Sequence, residues 1–339
     1  MRMRYGIGTI AGLCTVLSVW VPASAEPAKE LGVINAGGTY GDAVEECLNK
    51  PFEKKYNIQV NVQSPAGLAK LTGMVESGNI TAGVIDLETG ELERAKAMGL
   101  VDGVDWGKVN PFPMYDDAKG PYGFGVSYFS TIMAWRPDAK APADWKDFFD
   151  VKNFPGMRSL PDYPGYILPF AAMAAGVSRD EIFPLDLDKA FEVLNKIKGN
   201  VIWWQSGGQP AQLLQDNEVQ YAVSWSGRVV GNPAVKSTFK DGMLELAWWS
   251  IPKGASEPVT EAAFLYLHEA SDPKTQACVA QRISYTGAST ELDPLLPQDR
   301  LDEFPTYKGN RDAQFSTNGK WWFDNSEEVQ RRWEEFRLQ

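Results

Sequence analysis

Between residues 31 and 99 the chain alternates strand-like apolar runs with amphipathic helical ones, and that order restricts the available folds more than any other feature. LGVIN reads as a strand, Gly37-Gly38 as a tight turn and AVEECLNKPFEKKY as a helix. IQVNVQSP follows with Ile58, Val60 and Val62 on one face, and TAGVIDLE supplies a third strand. ELERAKAMG closes the segment as a helix with Gly99 in the C-terminal capping place. Strands separated by helices of this length predict βαβ units and a mostly parallel sheet.

The middle of the chain changes character. GPYGFGVSYFSTIMAWRPDA is a long β-like stretch, followed by short helical pieces at ADWKDFFD and LPFAAMAAG. DLDKAFEVLNKIKG has an apolar stripe of Ala190, Phe191, Leu194 and Ile197 and stops at Gly199. LELAWWSIPKGAS is a further strand, two helices run from about 259 to 282, and NSEEVQRRWEEFRL is a closing helix. The proline-bearing stretches at 135–142 and 246–256 are the candidate crossings between two lobes. Lobe 1 is then 26–134 with 250–300, lobe 2 is 135–249 with 301–339, and the cleft between them is the natural binding site.

Residues 1–25 read as a secretory signal peptide: a basic start at Arg2 and Arg4, an apolar run from Tyr5 to Val21, and Ala23-Ser24-Ala25 before Glu26. The position before Cys14 is Leu13, where a lipoprotein signal would have a small residue. No later stretch is long and apolar enough to span a membrane, so a soluble, exported mature chain is expected. The whole chain has 33 Lys+Arg against 44 Asp+Glu, a formal net charge of −11, and losing the basic start makes it more negative. That balance argues against nucleic acid or an anionic membrane surface as partner. Cys47 and Cys278 remain after processing, and in an oxidising compartment they are either joined or two separate buried thiols.

Three segments carry a resemblance: QPAQLLQDNEVQYAVSWSGR, LAWWSIPKGA before the double helix, and YGFGVSYFSTIMAWRPDA with the following DWKDFFD. In this order and spacing the mature chain resembles the extracellular solute-binding proteins of ABC importers, in the branch that includes spermidine/putrescine-binding proteins. The resemblance implies an α/β, two-lobed periplasmic-binding-protein fold of type II-like form, each lobe a mostly parallel sheet flanked by helices. It also implies capture of a small-molecule ligand by hinge closure and delivery to an ABC permease in the inner membrane. No chemical step and no cofactor are implied, and a cleft-closing binder of this kind works as a monomer in the periplasm.

Ligands of open α/β sheets sit beyond the carboxyl ends of the strands. In lobe 1 those ends place Tyr40, Ser64 and Asp86 at the cleft; in the rest of the chain they place Tyr128, Asp162, Tyr163, Ser206, Gly207 and Arg228, with Trp248 at the second crossing. Ser206-Gly-Gly-Gln209 has a capping-box pattern, which predicts a helix starting at Gly207 with its N–H groups toward the cleft. Val219, Tyr221, Val223 and Trp225 alternate along a strand, and Arg228 lies three residues beyond. An arginine fork suits a carboxylate, so this stretch reads as an anion pocket, or else Arg228 pairs with an internal acid such as Asp162. Tyr40 follows a Gly-Gly turn and is expected to be exposed. Asp86 is either the counter-ion of an amine or a strand-end cap.

The polyamine pattern leads one to expect an acid soon after the aromatic of the second crossing. Between Trp248 and Lys253 there is none, and a base stands at Arg228. Both changes favour a carboxylate-bearing amine, such as the ω-amino acid γ-aminobutyrate, over a dication. Polyamines, a sugar stacked on tryptophan, and service to a chemoreceptor remain as alternatives. Catalysis has little to stand on: His268 is the single histidine, and there is no Gly-x-Ser-x-Gly elbow, phosphate loop or zinc-ligand spacing.

Overall fold

Two long antiparallel strands organise the molecule. In the computed structural model, which describes Met1 and residues 26–338, β1 is Glu30–Ile34, β2 Gln59–Gln63, β3 Val84–Leu87, β4 Val101–Asp102 and β5 Phe124–Trp135. β6 is Arg158–Pro161, β7 Val201–Trp204, β8 Tyr221–Trp225, β9 Lys236–Pro252 and β10 Phe315–Ser316. The signal-peptide reading falls on residues that, Met1 apart, lie outside the described ones. The sheet runs β2-β1-β3-β9-β5-β8-β6-β7, with β4 and β10 also pairing with β9. Its two ends are the parallel triplets expected of βαβ units, β2-β1-β3 and β8-β6-β7. The antiparallel pair β9–β5 joins them, so the sheet as a whole is mixed.

Local sequence explains the elements. β3, buried at all four positions between β1 and β9, is an apolar run broken only by Asp86. The helix Thr89–Ala97 ends as predicted at Gly99, whose φ of 66° is left-handed, with Leu100 N–H donating to Ala95 O. The helix Leu187–Ile197 buries its predicted stripe of Ala190, Phe191, Leu194 and Ile197.

One hydrophobic core takes residues from Leu31 to Tyr128 and from Leu244 to Ala288. A second takes Met133 to Val223, Met243, Phe315 and, from the closing helix, Val329, Trp333 and Phe336. Along β5 the chain passes from one core to the other between Tyr128 and Met133, and along β9 between Met243 and Leu244. Both passages lie inside continuous strands, ahead of the proline-bearing stretches at 135–142 and 246–256. Proline cannot donate to a ladder, so it marks where the strands end rather than where they cross.

Cys47 and Cys278 form a disulfide, with Cα atoms 5.7 Å apart and a sequence separation of 231. It ties the π-helical turn Glu45–Asn49 to the helix Pro273–Arg282, which the long excursion through the second core separates in sequence. Closing so long a loop removes much freedom from the unfolded chain. The double variant Cys47→Ala/Cys278→Ala is expected to lose about 3 kcal/mol of unfolding free energy, read from urea midpoints, and the parent in reductant should lose the same.

Candidate functional site

The site is best found through buried polar groups that have no partner, since nearly all such groups in a folded protein are hydrogen-bonded. Four of them gather where the two lobes meet. Tyr40 Oη and Trp249 Nε1 come from the first core, and Trp225 Nε1 and Arg228 Nε from the second side.

On the first side, Gly37 (φ 72°) turns the chain off β1 into the helix Gly38–Val44, which carries Tyr40 inward. Tyr40 is 6% exposed, not the surface residue that its Gly-Gly turn suggests, because the helix begins at Gly38 and lays that face against the core. Asp86, the residue before the end of β3, is 7% exposed and directly opposite Trp249 on β9. Among the described residues it has no ion-pair partner within 4 Å, and a lone buried carboxylate is costly in its charged form. Burial, then the nearby Glu88 and Glu91, push its carboxyl up to about 8, against the opposing pull of the Ala36 N–H and the Trp249 indole. Burial and Asp86 together also raise Tyr40 well above the ordinary phenol range.

On the second side, β8 ends at Trp225 and a single helical turn, Ser226–Val229, carries Arg228. Two glycines let aromatic rings close on it. A Cβ on Gly207 would stand 2.5 Å from the Trp225 ring and 3.6 Å from Arg228 Nε, and one on Gly227 would stand 2.6 Å from Tyr285. Burial pushes the Tyr285 hydroxyl up to about 12, with the Arg228 guanidinium pulling against it. Tyr285 in turn lies 6.5 Å, ring to ring, from Tyr40. The arrangement therefore runs from Asp86 and Trp249 through Tyr40 and Tyr285 to Arg228 and Trp225, with an unpaired acid at one end and an unpaired base at the other.

The internal alternative for Arg228 is not what the structure forms. Asp162 pairs with Arg337 at 3.3 Å and accepts from Gln205 Nε2 at 3.1 Å. The predicted capping box is absent too: the helix starts at Gln209, Gly208 is its N-cap, and Ser206 contributes only its carbonyl, which accepts from the Gln209 N–H at 2.9 Å. Pro210 in the first turn fits that later start, since it needs no N–H there. Gly207 thus serves by lacking a side chain rather than by offering a helix terminus.

The remaining sequence-chosen residues are dispersed. Tyr163 donates to Gln205 O at 2.8 Å and sits edge-on to Tyr166 and Trp204. Tyr128 is engaged with Asp117, beneath Arg311. Ser64 is exposed, beside Gly37 at the end of β2. Trp248 donates to Thr89 Oγ1 at 3.0 Å and covers Gly120 and Gly123, while its neighbour Trp249 faces Asp86. Adjacent strand residues point to opposite faces, so it is Trp249, rather than the sequence-chosen Trp248, that stands opposite Asp86.

Sequence reasoning missed Tyr285, Trp249 and Glu245. Tyr285 lies in an irregular segment after a helix and carries no pattern. Glu245 shares strand parity with Trp249 on β9, which was a legible signal. Its carboxylate accepts from Thr131 Oγ1 at 2.9 Å, and burial with the neighbouring Glu88 raises it well above the usual range. Glu88 is open to the water of the cleft but flanked by protein from both sides, which together with Glu91 raises it to about 7. Among the described residues no group of His, Cys, Asp and Glu could hold a metal ion. His268 makes the bland contact expected of it, with Nδ1 2.8 Å from Asn110 O.

Two lobes joined by a crossing strand pair, with unsatisfied charge of both signs at the crossing, define a ligand-capturing protein of the periplasmic-binding type. The chain belongs to the family described as bacterial extracellular solute-binding protein, whose model matches residues 48–306. It is 28% identical over 323 residues to the γ-aminobutyric acid-binding protein of Pseudomonas aeruginosa, a match that covers 91% of each chain. An ABC transporter substrate-binding protein from Bradyrhizobium japonicum is similar with a TM-score of 0.85 and 32% identity, covering 91% of this chain and 99% of that one. The Atu4243 GABA receptor is similar with a TM-score of 0.82 and 27% identity, over 91% and 97% of the two chains.

Proposed function

We propose that the protein is the periplasmic capture component of an ABC importer for a small zwitterionic amine, with an ω-amino acid such as γ-aminobutyrate favoured. One observation carries this reading: Arg228 and Asp86, both without an ion-pair partner, stand at opposite ends of the Tyr40–Tyr285 pair. The guanidinium receives the carboxylate as a fork, and Asp86 receives the ammonium among aromatic rings. A polyamine would satisfy Asp86 and leave Arg228 facing a second cation. The sugar alternative has fewer platforms, since Trp204 is fully buried and Trp203 packs edge-on to Trp333 and Phe336. The names of two relatives, which bind γ-aminobutyrate, support the same choice. Export by the N-terminal signal, action as a monomer and delivery to an inner-membrane permease belong to this reading.

A thermal-shift screen of γ-aminobutyrate, α-amino acids, putrescine, spermidine and sugars tests it. At a hundredfold excess over its dissociation constant, the ligand should stabilise the protein by about 2.7 kcal/mol. A shift with putrescine or spermidine and none with any carboxylate would sink the zwitterion reading.

A further inference from the structure

The site holds more negative charge than a simple ω-amino acid can use. Arg228 is one cation; Asp86, Glu88 and Glu245 are three carboxyls, and none of the three has an ion-pair partner among the described residues. Glu88 and Glu91 cap the helix Thr89–Ala97 reciprocally, Glu88 accepting from the Glu91 N–H and Glu91 from the N–H groups of Leu68 and Glu88 at 3.0 and 3.2 Å, so that neither charge is offset by a cation. An amino acid with one ammonium and one carboxylate would match Arg228 and Asp86 and leave Glu88 and Glu245 without a counter-charge. Carboxylates gathered in a closing cleft repel one another unless a cation or protons lie between them.

Space points the same way. Glu88, Tyr163, Tyr166 and Glu245 line a cavity of about 740 Å³, bounded on its far side by the helix Ser326–Leu338. That volume lies within the roughly 300–1,000 Å³ that holds drug-sized ligands, well beyond what a four-carbon amino acid fills. Tyr163 and Tyr166 come from the second side and Glu88 from the first, so the cavity spans the cleft. Two bases line it as well, Arg94 of the helix Thr89–Ala97 and Arg331 of the helix Ser326–Leu338, the latter already paired with Glu328 and Glu335. Asp86 and Arg228 do not themselves line this cavity; Tyr166 on its wall stands 5.7 Å, ring to ring, from Trp225, which packs on Gly207 beside Arg228.

We propose that Glu88 and Glu245 form a second cation-receiving subsite, so that the preferred ligands are monocarboxylates carrying two ammonium groups. This rests on the assignment of Arg228 and Asp86 above and narrows the substrate class of the same site. Arg228 takes the carboxylate, Asp86 one ammonium, and the Glu88–Glu245 pair the other, with Tyr163 and Tyr166 as aromatic walls.

Ornithine and 5-aminopentanoate differ by one ammonium on the same carbon chain, so their affinity ratio isolates the subsite. Isothermal titration of the full mature chain should give ornithine at least tenfold tighter binding. Glu245→Gln and, separately, the exposed Glu88→Gln should each lower that ratio fivefold or more. The proposal is overturned if 5-aminopentanoate binds as tightly as ornithine, or if neither variant moves the ratio. Binding of 5-aminopentanoate without any advantage for ornithine removes this subsite alone. Failure of both ligands to bind removes the Arg228–Asp86 reading and the subsite with it.

Discussion

Arg228→Ala is expected to weaken capture of γ-aminobutyrate roughly 100-fold, since removing one partner of a buried hydrogen-bonded charge pair costs about 2–5 kcal/mol. The loss should come mainly from faster dissociation, measured by stopped-flow fluorescence of the site tryptophans. The free protein tells the complementary story. Arg228 Nε is buried without a partner, so deleting the side chain removes an uncompensated group and the ligand-free melting temperature should hold or rise. Arg228→Lys separates charge from geometry: a lysine keeps the cation but not the fork, and affinity should fall about tenfold. Unchanged binding in Arg228→Ala, or a variant that unfolds, would make the residue a structural one.

Asp86→Asn should abolish the grip on the ammonium and at the same time stabilise the empty protein at alkaline pH. In the folded chain the carboxyl is pushed up to about 8 by burial and by Glu88 and Glu91. The unfolded chain sheds the same proton near the ordinary 3.8. Between those values the folded state binds more protons than the unfolded one, so this group lowers stability progressively as pH rises from about 4 to about 8. Asparagine has no such penalty. The variant and the parent should therefore melt together below about pH 4 and diverge upward, with the variant ahead by on the order of 5 kcal/mol at pH 8.5. A bound ammonium reverses the parent's deficit, so the gap should close when ligand is added to both. If the variant is the less stable at every pH, Asp86 is an ordinary acceptor for the Ala36 N–H. The cost that Asp86 and Arg228 impose on the empty state is the usual signature of groups kept for binding rather than for folding.

Much of the architecture was legible because it follows from local periodicity. The parallel triplets came from the alternation of strands and helices, and the helix Leu187–Ile197 came from its apolar stripe, down to the residues it buries. Gly99 was readable as a helix stop because only a left-handed residue ends that turn cheaply. The local errors arose where two nearby signals competed. Ser206 looked like a cap, but Pro210 favours a later start, and the helix follows the proline. Tyr40 looked exposed after two glycines, but those glycines bend the chain so that the next turn faces inward.

By itself the sequence determined the two-lobed α/β class, the export signal as an expectation, and Arg228 and Asp86 as separate candidates for opposite charges. Which of them meet, and through what, only the tertiary structure decided. Tyr285, Glu245 and the Cys47–Cys278 bond depend on segments far apart in the chain being brought together by β5 and β9. The physical reason is one of range. Periodicity and capping act over a few residues and leave a mark in sequence, whereas an unpaired buried charge is defined by what fails to lie within about 3–4 Å of it, and that is a property of the whole packed molecule.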